Sequence, residues 1–548
     1  MKLCVSILLN VAICALACAQ QRPAHDQAMP TTLMTGLGDL HHPVSTQNQQ
    51  AQQFFDQGLR LIYAFNHDEA TRSFRRAADL DPRLAMAYWG IAEAVGPNYN
   101  DPGSDDRFKQ AHEAIQKAKD LSGGAWPNEK AYIEAMALRF PADASVDRRK
   151  AAEAYHDAMR EVMNRFPDDL DAATLFAESG MVLHPWGLWH KDGTPESGTE
   201  EIIAVLESVI KRSPNHMGAV HYYIHAVEAS TSPERALAAA NRLASLAPAA
   251  GHLVHMPAHV YIRTGDYDAA VATNEKAAAA DRAYIQASGV QGMYPMMYYS
   301  HNLHFIAIAG AMYGNYKQAS DAARMLAAHV GPHIKDMPPL EAFLIVPMAV
   351  NLRFHLWDDV LKTPEPPPDR KIATTFWHYA RGMALAGEGK PADAEAEYKL
   401  ISDAEAATPP DSIFAMPFNN KTRDILQIAR NVLGARIAIA KKDNTSAIAM
   451  LQEAISVQDQ LNYGEPPDWY FPVRESLGAV LLMNGDAVGA EKAFRADLDR
   501  NPRNPRSLFG LQQALKAEGR DYEAWFVQKQ FEAAWKGGSS QLKVADLL

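Results

Sequence analysis

Small and bulky apolar residues recur along this chain at helical spacing, and the spacing itself repeats. With Ala51 as position 1 of a 34-residue window, Gly58, Leu61, Ala70, Phe74, Ala77 and Pro82 fall at positions 8, 11, 20, 24, 27 and 32. Residues 471–504 place Leu477, Gly478, Leu481, Gly485, Ala490, Phe494 and Pro502 at positions 7, 8, 11, 15, 20, 24 and 32. Each window reads as two amphipathic helices joined by a turn, with small residues where the helices touch and a proline ending the second. Residues 217–250, 251–284, 300–333 and 505–538 keep parts of the pattern, and further helix pairs are expected in 85–122, 128–167, 170–214, 341–362, 374–402 and 421–462. No run alternates apolar and polar residues in the manner of a strand. The expected fold is all-α, a right-handed solenoid of about 11–12 helix pairs stabilised by burial between neighbours.

The residues at positions 8, 11, 20, 24, 27 and 32 resemble the tetratricopeptide repeat (TPR). The resemblance covers most of the chain from residue 51 onward. It implies a scaffold that binds a protein or peptide partner in its concave groove. The expected organisation is a flexible leader over 20–50, a first superhelix over 51–362, a Pro-rich connector over 363–373 and a second superhelix over 374–548. Three insertions, 184–198, 285–299 and 463–470, carry Gly or Pro and aromatic residues and are expected to fold over an opening of the solenoid.

Composition changes this picture in two places. The 53 Lys and Arg against 65 Asp and Glu give a net charge of −12, which argues against a nucleic-acid partner. Residues 1–19 read as an export signal: Lys2, an apolar run over 3–16, and Ala17-Cys18-Ala19 as a cleavage site. The protein is therefore expected to be periplasmic or secreted. Ala15-Leu16-Ala17-Cys18 also looks like a weak lipobox, so Cys18 is an alternative lipid anchor. No later segment is apolar for long enough to span a membrane. All three cysteines, Cys4, Cys14 and Cys18, lie in this leader, which removes disulfides, thiolate nucleophiles and Cys-ligated zinc from the mature protein.

Histidine carries the chemistry that remains. In the resembled family, positions 2, 5 and 9 of each first helix face the groove. In three middle repeats those positions are Gly218, His221, His225; His252, His255, His259; and His301, His304, Ile308. Seven of these nine slots are histidine in a chain with 20 histidines among 548 residues, far above chance. His221/His225 and His255/His259 are i,i+4 pairs on one helix face, and adjacent helices pack about 8–10 Å apart, so inward-reaching imidazoles from two rungs can share one ion. The next repeat outward places Glu178 at position 9, a candidate carboxylate ligand or base. Facing neutral imidazoles need donors, and protonated ones repel. A divalent cation such as zinc, copper or iron resolves both; an anionic or organic ligand and a polar peptide groove are the alternatives.

Other features carry less. His41-His42 reads as an incidental pair in the leader, Trp186 and Trp189 as a loop cap, and Met293, Met296 and Met297 as packing rather than soft copper ligands. There is no phosphate loop, Ser nucleophile elbow or HExxH, since His255 and His259 enclose Met-Pro-Ala. The sequence thus points to an exported solenoid with a His-rich metal site in its groove. A metal-free interaction scaffold is the second reading, and nothing requires catalysis.

Overall fold

The computed structural model describes residues 31–143, 146–415, 420–538 and 542–548. The expected signal over 1–19, with Cys4, Cys14 and Cys18, lies outside these residues. Among the described residues there is no strand, and helix follows helix in antiparallel pairs. The pairs run from Gln49–Tyr63 with His67–Leu80 to Pro505–Ala517 with Asp521–Ala534. The chain is an all-α solenoid. No helix of the described residues is long and apolar enough to cross a membrane.

The periodic glycines and phenylalanines explain why the pairs stack. The Phe74 ring sits so close to Gly58 of its own pair and Gly90 of the next that a Cβ at either would fall within 2.6 Å of it. At the other end Phe494 does the same between Gly478 and Gly510. One ring thus fixes both the helices of a pair and its neighbour, and no larger residue fits at position 8. Many turns are set by side-chain caps: Asn66, Asp169, Asn315, Asp443 and Asp486 each accept from an N–H in the first turn of the helix that follows.

The 363–369 stretch separates the helices Trp357–Lys362 and Lys371–Gly387. The helices beyond it nevertheless return to the first half. Arg353 and Glu475 form a buried ion pair, with Nη2 to Oε1 at 2.9 Å. Tyr463 donates to Glu228 at 3.2 Å, Tyr267 donates to the Pro502 carbonyl at 3.4 Å, and Lys536 pairs with Asp268 at 2.7 Å. The superhelix therefore closes on itself, and the groove of the middle repeats faces the 463–470 segment rather than open solvent.

The described part of the leader is docked, not loose. His42 is buried, its Nδ1 lies 2.8 Å from Asp171, and the same carboxylate takes the Tyr63 hydroxyl at 2.6 Å and His216 at 3.2 Å. Against burial, which would lower it, the Asp171 hydrogen bond and charge raise the His42 pKa to about 9. The incidental role expected for His42 is thus corrected. It ties the residues before the first repeat to helix Leu170–Leu183.

Candidate metal centre in the groove

The histidine ladder converges. The ligand atoms of His221, His225 and His252 lie within 4.8 Å of one another, and so do those of His255, His259 and His301. All but His301 are buried. The two groups abut, with the His225 and His259 rings 5.8 Å apart and those of His252 and His255 also 5.8 Å apart. Position 2 of the first of these repeats is Gly218 because Tyr63 packs there, 2.5 Å from where a Cβ would stand. That approach also brings the Tyr63 carbonyl to His221 Nδ1 at 2.7 Å.

Local backbone chemistry sets the second group. Pro257 has no N–H to give to the Leu253 carbonyl, so the helix is interrupted between Gly251–His255 and Pro257–Thr264. The His259 N–H then bonds to the Met256 carbonyl at 3.2 Å, a tighter i−3 turn. His255 Nε2 and His259 Nε2 end 2.8 Å apart. On the neighbouring rung, the π-helical turn Tyr294–Tyr299 leads into helix Ser300–Met312 and sets His301 against both rings, at 4.8 and 5.7 Å between centroids.

Acceptors behind the rings decide the tautomers. The Asn274 amide donates to the Ala270 carbonyl at 2.8 Å, which turns its oxygen to His255 Nδ1 at 2.7 Å. Glu228 lies between two rungs, with Oε1 2.7 Å from His225 Nδ1 and Oε2 2.5 Å from His259 Nδ1. Burial alone would raise the Glu228 pKa, but His259 and His225 hold it well below the usual carboxylate range. His225 and His255 therefore donate through Nδ1 and turn an Nε2 lone pair inward, and the Glu228 carboxylate beside His259 Nδ1 favours a proton there as well. Burial, followed by repulsion from neighbouring imidazoles, holds His221, His252, His255 and His301 well below their ordinary pKa.

Two of the residues expected from the sequence stand apart from these groups. Glu178 occupies its register position, yet its neighbours are Glu93 and Arg139. Burial and the Glu93 charge, opposed by Arg139, push it up to about 8. His304 faces the same cavity, but its ring packs on Phe343 and Tyr470, and burial pushes its pKa down to about 3. Glu228 and Asn274 were missed because they lie off the groove positions. Glu228 sits three residues after His225 and is legible only as an acceptor for it. Glu465, from the 463–470 insertion, is also buried in the cavity wall, where burial, opposed by Arg263 and His259, pushes its pKa up to about 7. The three insertions do fold over the opening, with Trp186, Tyr298 and Tyr470 lining it.

Comparison with known proteins agrees with this architecture. The tetratricopeptide repeat family matches residues 254–284, the unit that carries His255 and His259. Residues 254–284 are thus one tetratricopeptide repeat within the solenoid. No curated protein matches it in sequence. Among solved structures it is similar to a human IFIT1 dimer with m7Gppp-AAAA, at 14% identity over 89% of this chain and 90% of that one, with a TM-score of 0.32. It is also similar to the APC/C hetero-tetramer Cut9-Hcn1, at 12% identity over 91% of this chain and 75% of that one, with a TM-score of 0.31. At these scores neither likeness bears on function.

Proposed function

We propose that this protein holds a divalent transition metal, zinc, copper or iron, at Nε2 of His255 and His259 and a ring nitrogen of His301, and that binding this ion is the function of the groove. One observation carries the reading. The two Nε2 atoms stand 2.8 Å apart while His255 is pinned through Nδ1 to Asn274 and the Glu228 carboxylate lies 2.5 Å from His259 Nδ1, which draws the His259 proton to that side. Such a contact is repulsive unless a positive charge lies between the nitrogens. Burial disfavours supplying that charge as a proton on His255. A tetrahedral ion with bonds of about 2.0–2.1 Å holds its nitrogens about 3.3–3.4 Å apart, a short relaxation from the present separation. An all-imidazole donor set, its rings oriented from behind by a carboxylate and an amide, suits these metals.

A peptide-binding scaffold without metal is the second reading. The chain's own 463–470 segment supports it less, because that segment occupies the groove at the level where a peptide would meet the histidines. The proposal includes an exported protein, cleaved after Ala19 or lipid-anchored at Cys18, which the mass of the mature N-terminus distinguishes.

The test is metal analysis of protein purified without a polyhistidine tag, with about one equivalent expected. Less than about 0.1 equivalent, with no uptake on titration, would overturn the metal and leave a shared proton between His255 and His259 in its place. The double variant His255→Ala, His259→Ala should lose uptake while its helical circular dichroism persists. Retained stoichiometric uptake in that variant would place the metal elsewhere.

A further inference from the structure

The groove histidines face a chamber of about 350 Å³, within the range of about 300–1,000 Å³ usual for small-molecule sites. Its wall is mostly rings and thioethers: Phe65, Trp186, Met297, Tyr298, Phe343 and Tyr470. Asp68 and the half-exposed Met293 mark its mouth. Three of the lining residues, His225, His304 and Glu465, each carry a buried polar atom with no hydrogen-bond partner: Nε2, Nε2 and Oε2. Buried polar atoms are almost always paired, and one aimed into an apolar cavity marks where a ligand's polar atom belongs.

The polarity of these atoms defines that ligand. His225 gives its Nδ1 proton to Glu228, so its Nε2 is an acceptor. A Glu465 carboxyl oxygen accepts when the group is ionised and, as the carbonyl oxygen, when it is neutral. The chamber therefore offers flat apolar contact on its walls and acceptors on its floor. A ring-sized molecule with a donating head satisfies both, and one without a donor leaves the floor unpaired.

We infer that the chamber binds a small aromatic molecule with a donating head beside His304, a hydroxyl giving its one proton to His225 or Glu465 and an amino head reaching both. None of these three residues belongs to the His255, His259 and His301 set, so the inference goes beyond the metal reading and does not need it.

The probes are p-cresol and benzylamine, with 4-methylanisole as the ring that cannot donate. Each is titrated by calorimetry into the full chain, once chelator-treated and once zinc-loaded, and the metal content of every sample is measured. The expected result is saturable binding of p-cresol or benzylamine, in chelator-treated protein as well, at least about tenfold tighter than 4-methylanisole. Met297→Trp, which fills the chamber from its partly exposed wall, should abolish it. If that variant does not fold, Ala415→Phe fills the same space from another wall and should do the same. Three results would overturn the inference: no saturable binding of either donor in either sample, equal binding of 4-methylanisole, or undiminished binding in a folded chamber-filling variant. Binding seen only with zinc and undiminished by Met297→Trp would mean simple ligation to the metal, which also overturns it. The metal reading is judged separately, by the zinc content of the same samples.

Discussion

The groove holds two histidine triads built from the same residue type at the same repeat spacing, yet they pose opposite electrostatic problems. In the first, His221 is held through Nδ1 by the Tyr63 carbonyl, while His252 has no partner at Nδ1. His252 is free to carry its proton on Nε2 and donate to His221 Nε2 at 3.1 Å, which leaves the pair neutral and hydrogen-bonded. In the second, Asn274 holds His255 through Nδ1 and the Glu228 carboxylate lies 2.5 Å from His259 Nδ1, so protons drawn to those two acceptors leave none between the Nε2 atoms. On the proposed metal reading, a histidine cluster becomes a cation site through the acceptors behind its rings, not through the number of rings.

The comparison predicts its largest effect for direct ligands. His259→Ala should weaken metal binding by at least about a hundredfold, and His221→Ala by less than about threefold, both read by competition against a chromogenic chelator. Equal losses in the two variants would erase the distinction between the triads and point to one ion shared by both. Saturating metal should also stabilise the wild-type protein by about 4 kcal/mol at a thousandfold excess over Kd, visible as a raised Tm that His259→Ala lacks.

An intermediate effect is expected one layer out. Asn274→Leu removes the acceptor that pins His255, and the ring then takes the other tautomer and donates to His259. Metal affinity should fall by about 10–100-fold, in the range of orienting residues around metal ligands. The metal-free protein should lose little stability, because the same change relieves the contact between lone pairs. A large fall in the Tm of the metal-free variant would show that Asn274 is mainly a structural hydrogen bond.

These contrasts also explain what could be read from the chain alone. The stacking was legible because a ring wedged between two helix pairs permits only glycine at its contacts, which leaves a fixed period at Gly58, Phe74, Gly478 and Phe494. The ladder was legible because groove positions recur with the same period. Glu178 shows the limit: it has the right register, but on its rung the buried Arg139 and Glu93 are its neighbours, away from the imidazoles. Glu465 could not be foreseen at the site, since it reaches His259 only through the return of the superhelix. Pro257 was visible as a break in HMPAH, but not that the break brings two Nε2 atoms together.

The smallest effect concerns a histidine outside the groove, whose charge the protein supplies itself. His42 meets the Asp171 carboxylate at 2.8 Å, with Asp169 and Asp56 adding attraction and His216 sharing the same acceptor. Its pKa rises from 6.5 to about 9, so the folded state binds this proton more tightly than the unfolded chain does. The stabilisation is fully present below pH 6.5 and is lost as the pH climbs towards 9. Its size is on the order of 1–3 kcal/mol, spread over that interval. His42→Phe should therefore lower the Tm at pH 6 and flatten its decline between pH 6.5 and 9, with metal uptake unchanged. An unchanged slope would mean that His42 is neutral in the fold. The rule drawn from the two triads would then need revision, because a buried carboxylate at 2.8 Å would have failed to keep a proton on its histidine.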